Sequence, residues 1–260
     1  MSTQPMPPVQ KRTNVRPSVQ AVRAAIHAVE PASRPLAARM AGELFLRPRR
    51  HGAPRWEREL LGRARSFRVP FGDAHLPAWE WGPAEGTPVL LAHGWEGRGS
   101  QLGAFVFPLL ARGFRVVAFD GPGHGRAPSH RSSVVHLALG IERMATVLGP
   151  LAGVVAHSVG GAATALALRV SRGNLGLGRC VIVAPPISPE RFFGLFTDTL
   201  ALGPELDIPD YQILIGLLGF DVWRCRSQLG GRRRPDLIAA CHDQECHEHR
   251  RRKQNSRDLH

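Results

Sequence analysis

From Leu151 to Ala163 the chain reads Leu-Ala-Gly-Val-Val-Ala-His-Ser-Val-Gly-Gly-Ala-Ala, and the rest of the sequence is organised around this stretch. Gly153 to His157 is a short apolar run fit for a buried strand, and a helical run of small residues follows from Val159. Ser158 therefore sits where a strand turns at once into a helix. Such a turn pushes its residue into an exposed, strained backbone conformation. Small neighbours are needed there because the incoming strand and the outgoing helix nearly touch. The pattern Ala156-His157-Ser158-Val159-Gly160 is small-x-Ser-x-Gly, which makes Ser158 the first candidate for a nucleophile.

Similar strands lie on either side. Pro88–His93, Phe114–Phe119 and Cys180–Ala184 are continuous apolar runs, as expected of strands buried on both faces. Helical patterns at about 100–112, 132–148 and 159–171 separate them. This rhythm predicts an α/β fold, a mostly parallel central sheet with helices on both faces. Before it, Arg65–Phe71 alternates in polarity and Leu76–Trp81 completes a hairpin across Gly72-Asp73, with Pro77 placing the second strand near an edge. Reactive groups of such sheets gather beyond the carboxyl ends of the strands. Three loops leave those ends: His93-Gly94-Trp95-Glu96-Gly97, Asp120-Gly-Pro-Gly-His-Gly125, and the turn at Ser158.

Those three motifs, in that order and spacing, give the chain from about Arg65 to Pro186 its family likeness: it resembles α/β-hydrolases of the serine-esterase type. The serine turn then corresponds to the nucleophile elbow G-x-S-x-G with Ala156 at the first glycine. The resemblance implies hydrolysis of a carboxylic ester or thioester through an acyl-Ser158 intermediate, with a small, apolar acyl substrate and no cofactor or metal. It implies an oxyanion hole made by the backbone N–H groups of Trp95 and Val159, with His93, Gly94 and Gly160 supporting the motif. His93 and His124 read as residues that shape their loops, and His157 as a structural residue projecting from the opposite side of its strand. The helical apolar region at about 189–223 resembles a cap over the crevice, and reads equally well as helices covering the sheet edge.

The rest of a triad is harder to place. The family's chain order is nucleophile, acid, histidine. The next strand should be Asp236–Cys241, and the family pattern would put the acid at position 246, which is Cys246. Asp243 is the preferred substitute, with Glu245 and Glu190 behind it. Only 14 residues follow Cys246, and they contain no apolar strand. His247, His249 and His260 are available bases, but no spacing singles one out, so the histidine is left unassigned. The C-terminal part of the sheet is expected to be incomplete, through truncation, a frameshift or a divergent tail. The alternative to an esterase is therefore a catalytically inactive scaffold of the same fold.

The ends differ in composition from the middle. The formal charge is +13, but residues 1–65 carry +9 and 224–260 carry +5, leaving the middle near neutral. Residues 1–17 read as a disordered, basic, proline-rich tail, 18–64 as a helical extension, 65–246 as the hydrolase domain and 247–260 as a second basic tail. Arginines on the polar faces of the extension permit contact with nucleic acid or anionic lipid, but read first as a solvated face, so no nucleic-acid partner is expected. Four cysteines at irregular spacing suggest no disulfide scaffold and fit no standard zinc pattern. With no apolar leader and no run of about 18 apolar residues, a cytoplasmic protein without a membrane span is expected.

Overall fold

The computed structural model describes residues 17–184, 189–203, 206 and 236–240. Within them a sheet runs through β1 (Arg65–Phe71), β2 (Ala74–Trp81), β3 (Pro88–Ala92), β4 (Arg115–Phe119), β5 (Leu151–His157), β6 (Leu177–Val183) and β7 (Asp236–Ala240). Their order across the sheet is β1-β2-β4-β3-β5-β6-β7. The β1–β2 and β2–β4 pairs are antiparallel, and every later pair is parallel. The helices are α1 (Pro17–Val29), α2 (Arg34–Phe45), α3 (Arg55–Gly62), α4 (Val106–Leu110), α5 (Val134–Leu148), α6 (Val159–Val170) and α7 (Pro189–Leu200).

The apolar runs form central strands because each strand sends alternate side chains to opposite faces. Leu90, Val117, Phe119 and Val154 enter one core with Ile26 of α1, Phe45 of α2, Ile141 of α5 and Ala163 of α6. Leu91, Val116, Ala118 and Val155 enter the other with Leu60 of α3 and Val106 of α4. Leu90 and Leu91 are both fully buried, on opposite faces. Burying each contributes about 2 kcal/mol, so a strand in the middle of this sheet has no use for polar side chains. This is the α/β-hydrolase architecture that the motifs imply, with helices on both faces.

Strand β1 is the outer strand and β2 lies next to it, so Pro77 sits near the edge as expected, one strand in from it. It is tolerated in β2 because β4 pairs only with Ala78–Trp81, and because the Pro77 carbonyl still accepts the Asp120 N–H at 2.9 Å. The helix expected over 100–112 is a 3-10 helix, Gly99–Phe105, followed by the short α4, with Leu102 at φ −90° and ψ 18° inside the first piece. Gly99 lies so close to Phe119 that a Cβ would sit 2.9 Å from its backbone, so tight packing against β4 displaces regular helix here. Helix α3 (Arg-Trp-Glu-Arg-Glu-Leu-Leu-Gly) is held by burial of Leu60, by the Trp81 indole N–H donating to the Leu60 carbonyl at 3.1 Å, and by a buried ion pair. In that pair Arg98 donates through Nε and Nη2 to both oxygens of Glu57, each at 2.6 Å.

Strand β7 adds to β6 where the sequence places it. Of the cap-like region, α7 and residues 201–203 and 206 are described; all of 207–223, residues 1–16 and everything after Ala240, including Asp243, Glu245 and the tail histidines, lie outside the described residues. Among the described residues no helix is long and apolar enough to cross a membrane.

Candidate functional site

The carboxyl ends of β3, β4 and β5 meet at one place. Ser158 follows β5 directly and precedes α6, and its backbone adopts φ 51° and ψ −123°. That left-handed conformation costs a non-glycine residue on the order of 1–3 kcal/mol. The turn is pinned on both sides: the Ser158 N–H donates to the Val183 carbonyl of β6 at 2.9 Å, and its own carbonyl accepts the Gly161 N–H at 2.9 Å. A serine at a helix start ordinarily caps the first turn with its hydroxyl. Here the Ser158 side chain makes no such bond, so the hydroxyl is not spent on the helix. Val159 is the first residue of α6, where N–H groups lack intrahelical partners and the helix dipole favours negative charge.

The glycines explain how the pieces fit. A Cβ on Gly160 would meet the Ala92 carbonyl oxygen at 2.7 Å and the His93 carbonyl oxygen closer still, so α6 begins directly against the end of β3. A Cβ on Gly161 would strike the Ile182 side chain of β6. Ala156, by contrast, is fully buried with room for its methyl group between Ala92 and Ile182 of the neighbouring strands. The loop after β3 comes just as near: a Cβ on Gly94 would lie 3.1 Å from the Ser158 Cβ and 3.0 Å from His157 Nδ1. The residue following Gly94 is Trp95, so the motif positions Gly94, Trp95, Ser158, Val159 and Gly160 form one neighbourhood.

His93 is buried and both ring nitrogens are engaged. Its Nδ1 pairs with the Gly94 carbonyl at 2.8 Å, and its Nε2 accepts the Gly121 N–H at 2.9 Å. The ring is thus a neutral strut between the loops after β3 and β4. Burial, opposed by the bond to Gly94, pushes its pKa down to about 4. His124 is likewise held down at about 4 by burial and by neighbouring His93, whose ring centre is 5.0 Å away. Its Nδ1 pairs with the Pro122 carbonyl at 2.9 Å, and its Nε2 has no hydrogen-bond partner among the described residues. His157 is half-buried, and burial lowers its pKa too. Asp120 accepts the Gly99 N–H at 2.7 Å and the Arg126 N–H at 2.6 Å. Burial nevertheless pushes its carboxyl above the usual range. His93, His124 and Asp120 are thus each used to fix a loop. Among the described residues no group of three His, Cys, Asp or Glu side chains is arranged to hold a metal ion.

Two features at the site were not legible in the motifs. Residues Gly94 to Gly97 form a turn closed by the Gly97 N–H donating to the Gly94 carbonyl at 3.0 Å, with Glu96 at φ 56°. The Glu96 carboxylate is gripped by Arg49 from the segment between α2 and α3, Nε to Oε1 at 2.8 Å and Nη2 to Oε2 at 2.9 Å. Burial would raise the Glu96 carboxyl, but Arg49, with help from His51 at 3.6 Å, outweighs it and holds it below its ordinary value. Beside it the Trp95 ring stacks on Phe45 of α2, with centres 5.9 Å apart and planes 18° from parallel. Phe45 in turn meets Phe193 and Phe196 of α7 edge-on. A weak signal existed: glutamate is an unfavourable residue for the left-handed position of a tight turn. Its partner lies 47 residues away, where no local pattern points.

Comparison with known proteins agrees with this fold. A family model described as alpha/beta hydrolase family matches residues 89–253. A serine hydrolase-like protein of Danio rerio is 44% identical over 68 residues, 26% of this chain and 20% of the relative. A bifunctional esterase/perhydrolase of Acinetobacter calcoaceticus is 34% identical over 85 residues, 32% of this chain and 31% of the relative. The chain spans less than half the length of the curated relatives it matches. Among solved structures, a Pyrococcus furiosus esterase superposes with a TM-score of 0.51 at 18% identity, covering 75% of each chain, a likeness of fold.

Proposed function

The chain belongs to the alpha/beta hydrolase family, and from that premise we propose that it is a serine hydrolase cleaving a carboxylic ester or thioester. In this reading the Ser158 hydroxyl attacks the acyl carbon as a base removes its proton, and the leaving group departs from the tetrahedral intermediate. Water then releases the acyl group. The Trp95 and Val159 N–H groups stabilise the oxyanion, and their positions next to Ser158 support that role. Losing one such donor costs roughly 3–4 kcal/mol of transition-state stabilisation.

The observation that carries the reading is the backbone of Ser158. A left-handed serine wedged between β5 and α6, with its hydroxyl withheld from the helix cap, is an expensive arrangement for a residue with only a packing role. Asp243 is proposed as the acid and an apolar acyl group as the substrate. The phenyl rings of Phe45, Phe193 and Phe196 beside Trp95 favour the apolar group. The competing reading is an inert scaffold. It is favoured by the absence, among the described residues, of a histidine at the site that is not already bound into a loop or held down by burial.

One experiment separates the two. A fluorophosphonate probe should label the wild-type protein and leave Ser158→Ala unlabelled. Equal labelling of both proteins would reject Ser158, and no labelling of either would favour the scaffold.

A further inference from the structure

The segment from Phe45 to His51 joins α2 to α3, and no motif assigns it a role. It nevertheless contacts the loop after β3 at two consecutive residues, by two different interactions. Phe45 stacks on the ring of Trp95, and Arg49 closes a two-bond fork on the carboxylate of Glu96. The Arg49 backbone N–H also points to that carboxylate, at 3.3 Å. The segment is itself anchored: the Leu46 carbonyl accepts the Ser132 N–H at 2.8 Å, and Arg50 donates to the Ala127 carbonyl at 2.7 Å. Both anchors lie just beyond the Gly121–Gly125 loop.

We propose that Phe45 and Arg49 are positioning residues, which hold the Gly94–Gly97 turn so that the Trp95 N–H faces the oxyanion site beside Ser158. Glu96 is the residue under constraint in this turn. In a turn with a left-handed third residue that position belongs to glycine or asparagine, and any other residue tends to relax out of it. Glu96 stays at φ 56° because its carboxylate is fastened from outside the turn. The peptide plane between Trp95 and its neighbours is set by the same turn, so releasing the carboxylate lets the donor N–H swing. An exposed ion pair is ordinarily worth little. This one differs because its fork geometry is bidentate and its work is to hold a strained backbone, not to add stability. The N-terminal extension thus belongs to the site: it acts on catalysis through the loop and does not touch the substrate.

This proposal rests on the acyl-Ser158 reading, and the test keeps the two apart. Wild type, Arg49→Ala, the exchanged pair Arg49→Glu with Glu96→Arg, and the control Arg55→Ala are compared. Arg55 makes an exposed ion pair with Glu59 one turn along α3, within the helix itself. Four readings are taken: fluorophosphonate labelling rate, kcat and KM on a short-chain p-nitrophenyl ester, melting temperature, and amide exchange of residues 93–98. Misplacing an oriented group by about 1 Å costs on the order of a hundredfold. Arg49→Ala is therefore expected to lower kcat and labelling about 10- to 100-fold. KM should stay within about threefold, melting nearly unchanged, and exchange in 93–98 faster. The exchanged pair should recover at least part of the loss, and Arg55→Ala should match wild type. A kcat within twofold of wild type in Arg49→Ala, or unchanged exchange in 93–98, would overturn the proposal. So would a loss that merely follows the melting temperature and is not recovered by the exchange. A wild-type protein that is not labelled at Ser158 would instead remove the underlying acyl-serine reading, and the proposal with it.

Discussion

Adding one methyl group to Gly160 should damage the site more than almost any other change of that size. In Gly160→Ala the new Cβ would lie 2.7 Å from the Ala92 carbonyl oxygen, and nearer to the His93 carbonyl oxygen. Real Cβ atoms do not approach within 3.0 Å, and both obstacles are backbone, so no side chain can swing aside. Either the start of α6 or the end of β3 must move by several tenths of an ångström. Overpacking of this kind costs about 1–3 kcal/mol. For a chain of this length, melting then falls by roughly 3–10 °C. The functional cost is larger, because the two elements forced apart carry Ser158 and Gly94, which pack so closely that a Cβ on Gly94 would lie 3.1 Å from the Ser158 Cβ. Labelling by a fluorophosphonate should slow on the order of a hundredfold. The matched control is Gly62→Ala, at the end of α3, where a Cβ meets nothing within 4 Å. It should be neutral or raise stability by about 0.5–1 kcal/mol. Thermal melts and labelling time courses on the two proteins decide the matter. A Gly160→Ala protein with wild-type melting and wild-type labelling would refute the close approach of α6 to β3.

Two further predictions concern strain and charge. Ser158→Gly should remove the proposed nucleophile yet stabilise the fold by about 1 kcal/mol, since glycine accepts φ 51° without penalty; a lower melting temperature than wild type would contradict the strain. Acid should weaken the protein between pH 6.5 and about 4, because His93 is held at about 4 in the fold and titrates at its ordinary value when unfolded. In that window the unfolded chain binds the proton and the folded chain does not, so stability is lost as pH falls. The loss is on the order of 3 kcal/mol for His93 alone. His124 acts in the same direction, and Asp120, whose carboxyl is raised, opposes them as it takes up its proton. Urea midpoints at pH 7.5, 5.5 and 4.5 would show the loss, and His93→Asn should flatten it; a midpoint indifferent to pH in both proteins would refute the account.

The strands were legible because their chemistry is local. Pro88–Ala92 and Arg115–Phe119 are apolar on both faces, and a sheet interior is where such runs can be buried. The hairpin was legible to the residue at β1, from its alternation and the Gly72-Asp73 turn. What the sequence concealed depends on distance. Helix α3 carries only two buried positions, Glu57 and Leu60, and one of them is a carboxylate that Arg98 neutralises from 41 residues away. The 3-10 form of Gly99–Phe105 follows from the approach of β4, which no window of the sequence contains. The site divides in the same way. Ser158, Gly94 and Gly160 announce themselves through small residues at fixed spacing, whereas Phe45 and Arg49 are unremarkable until the fold lays α2 beside Trp95.

The contrast between Ala156 and Gly160 shows what the serine turn needs from its neighbours. Both are small positions of the same motif, two residues either side of Ser158. Ala156 sits within β5, between strands whose facing residues leave space for a methyl group, so the motif's first glycine is dispensable here. Gly160 faces carbonyl oxygens of β3, so its glycine is not. The constraint therefore comes from the approach of α6 to the strand that delivers Gly94 and Trp95, and much less from the bend of the chain at Ser158. The strained conformation of Ser158 persists because the helix start is wedged there and because its N–H is held by β6. A sequence that kept Ala-x-Ser but lost the second glycine would retain the serine and lose its alignment with the loop. That alignment is what Glu96 and Arg49 maintain from the other side.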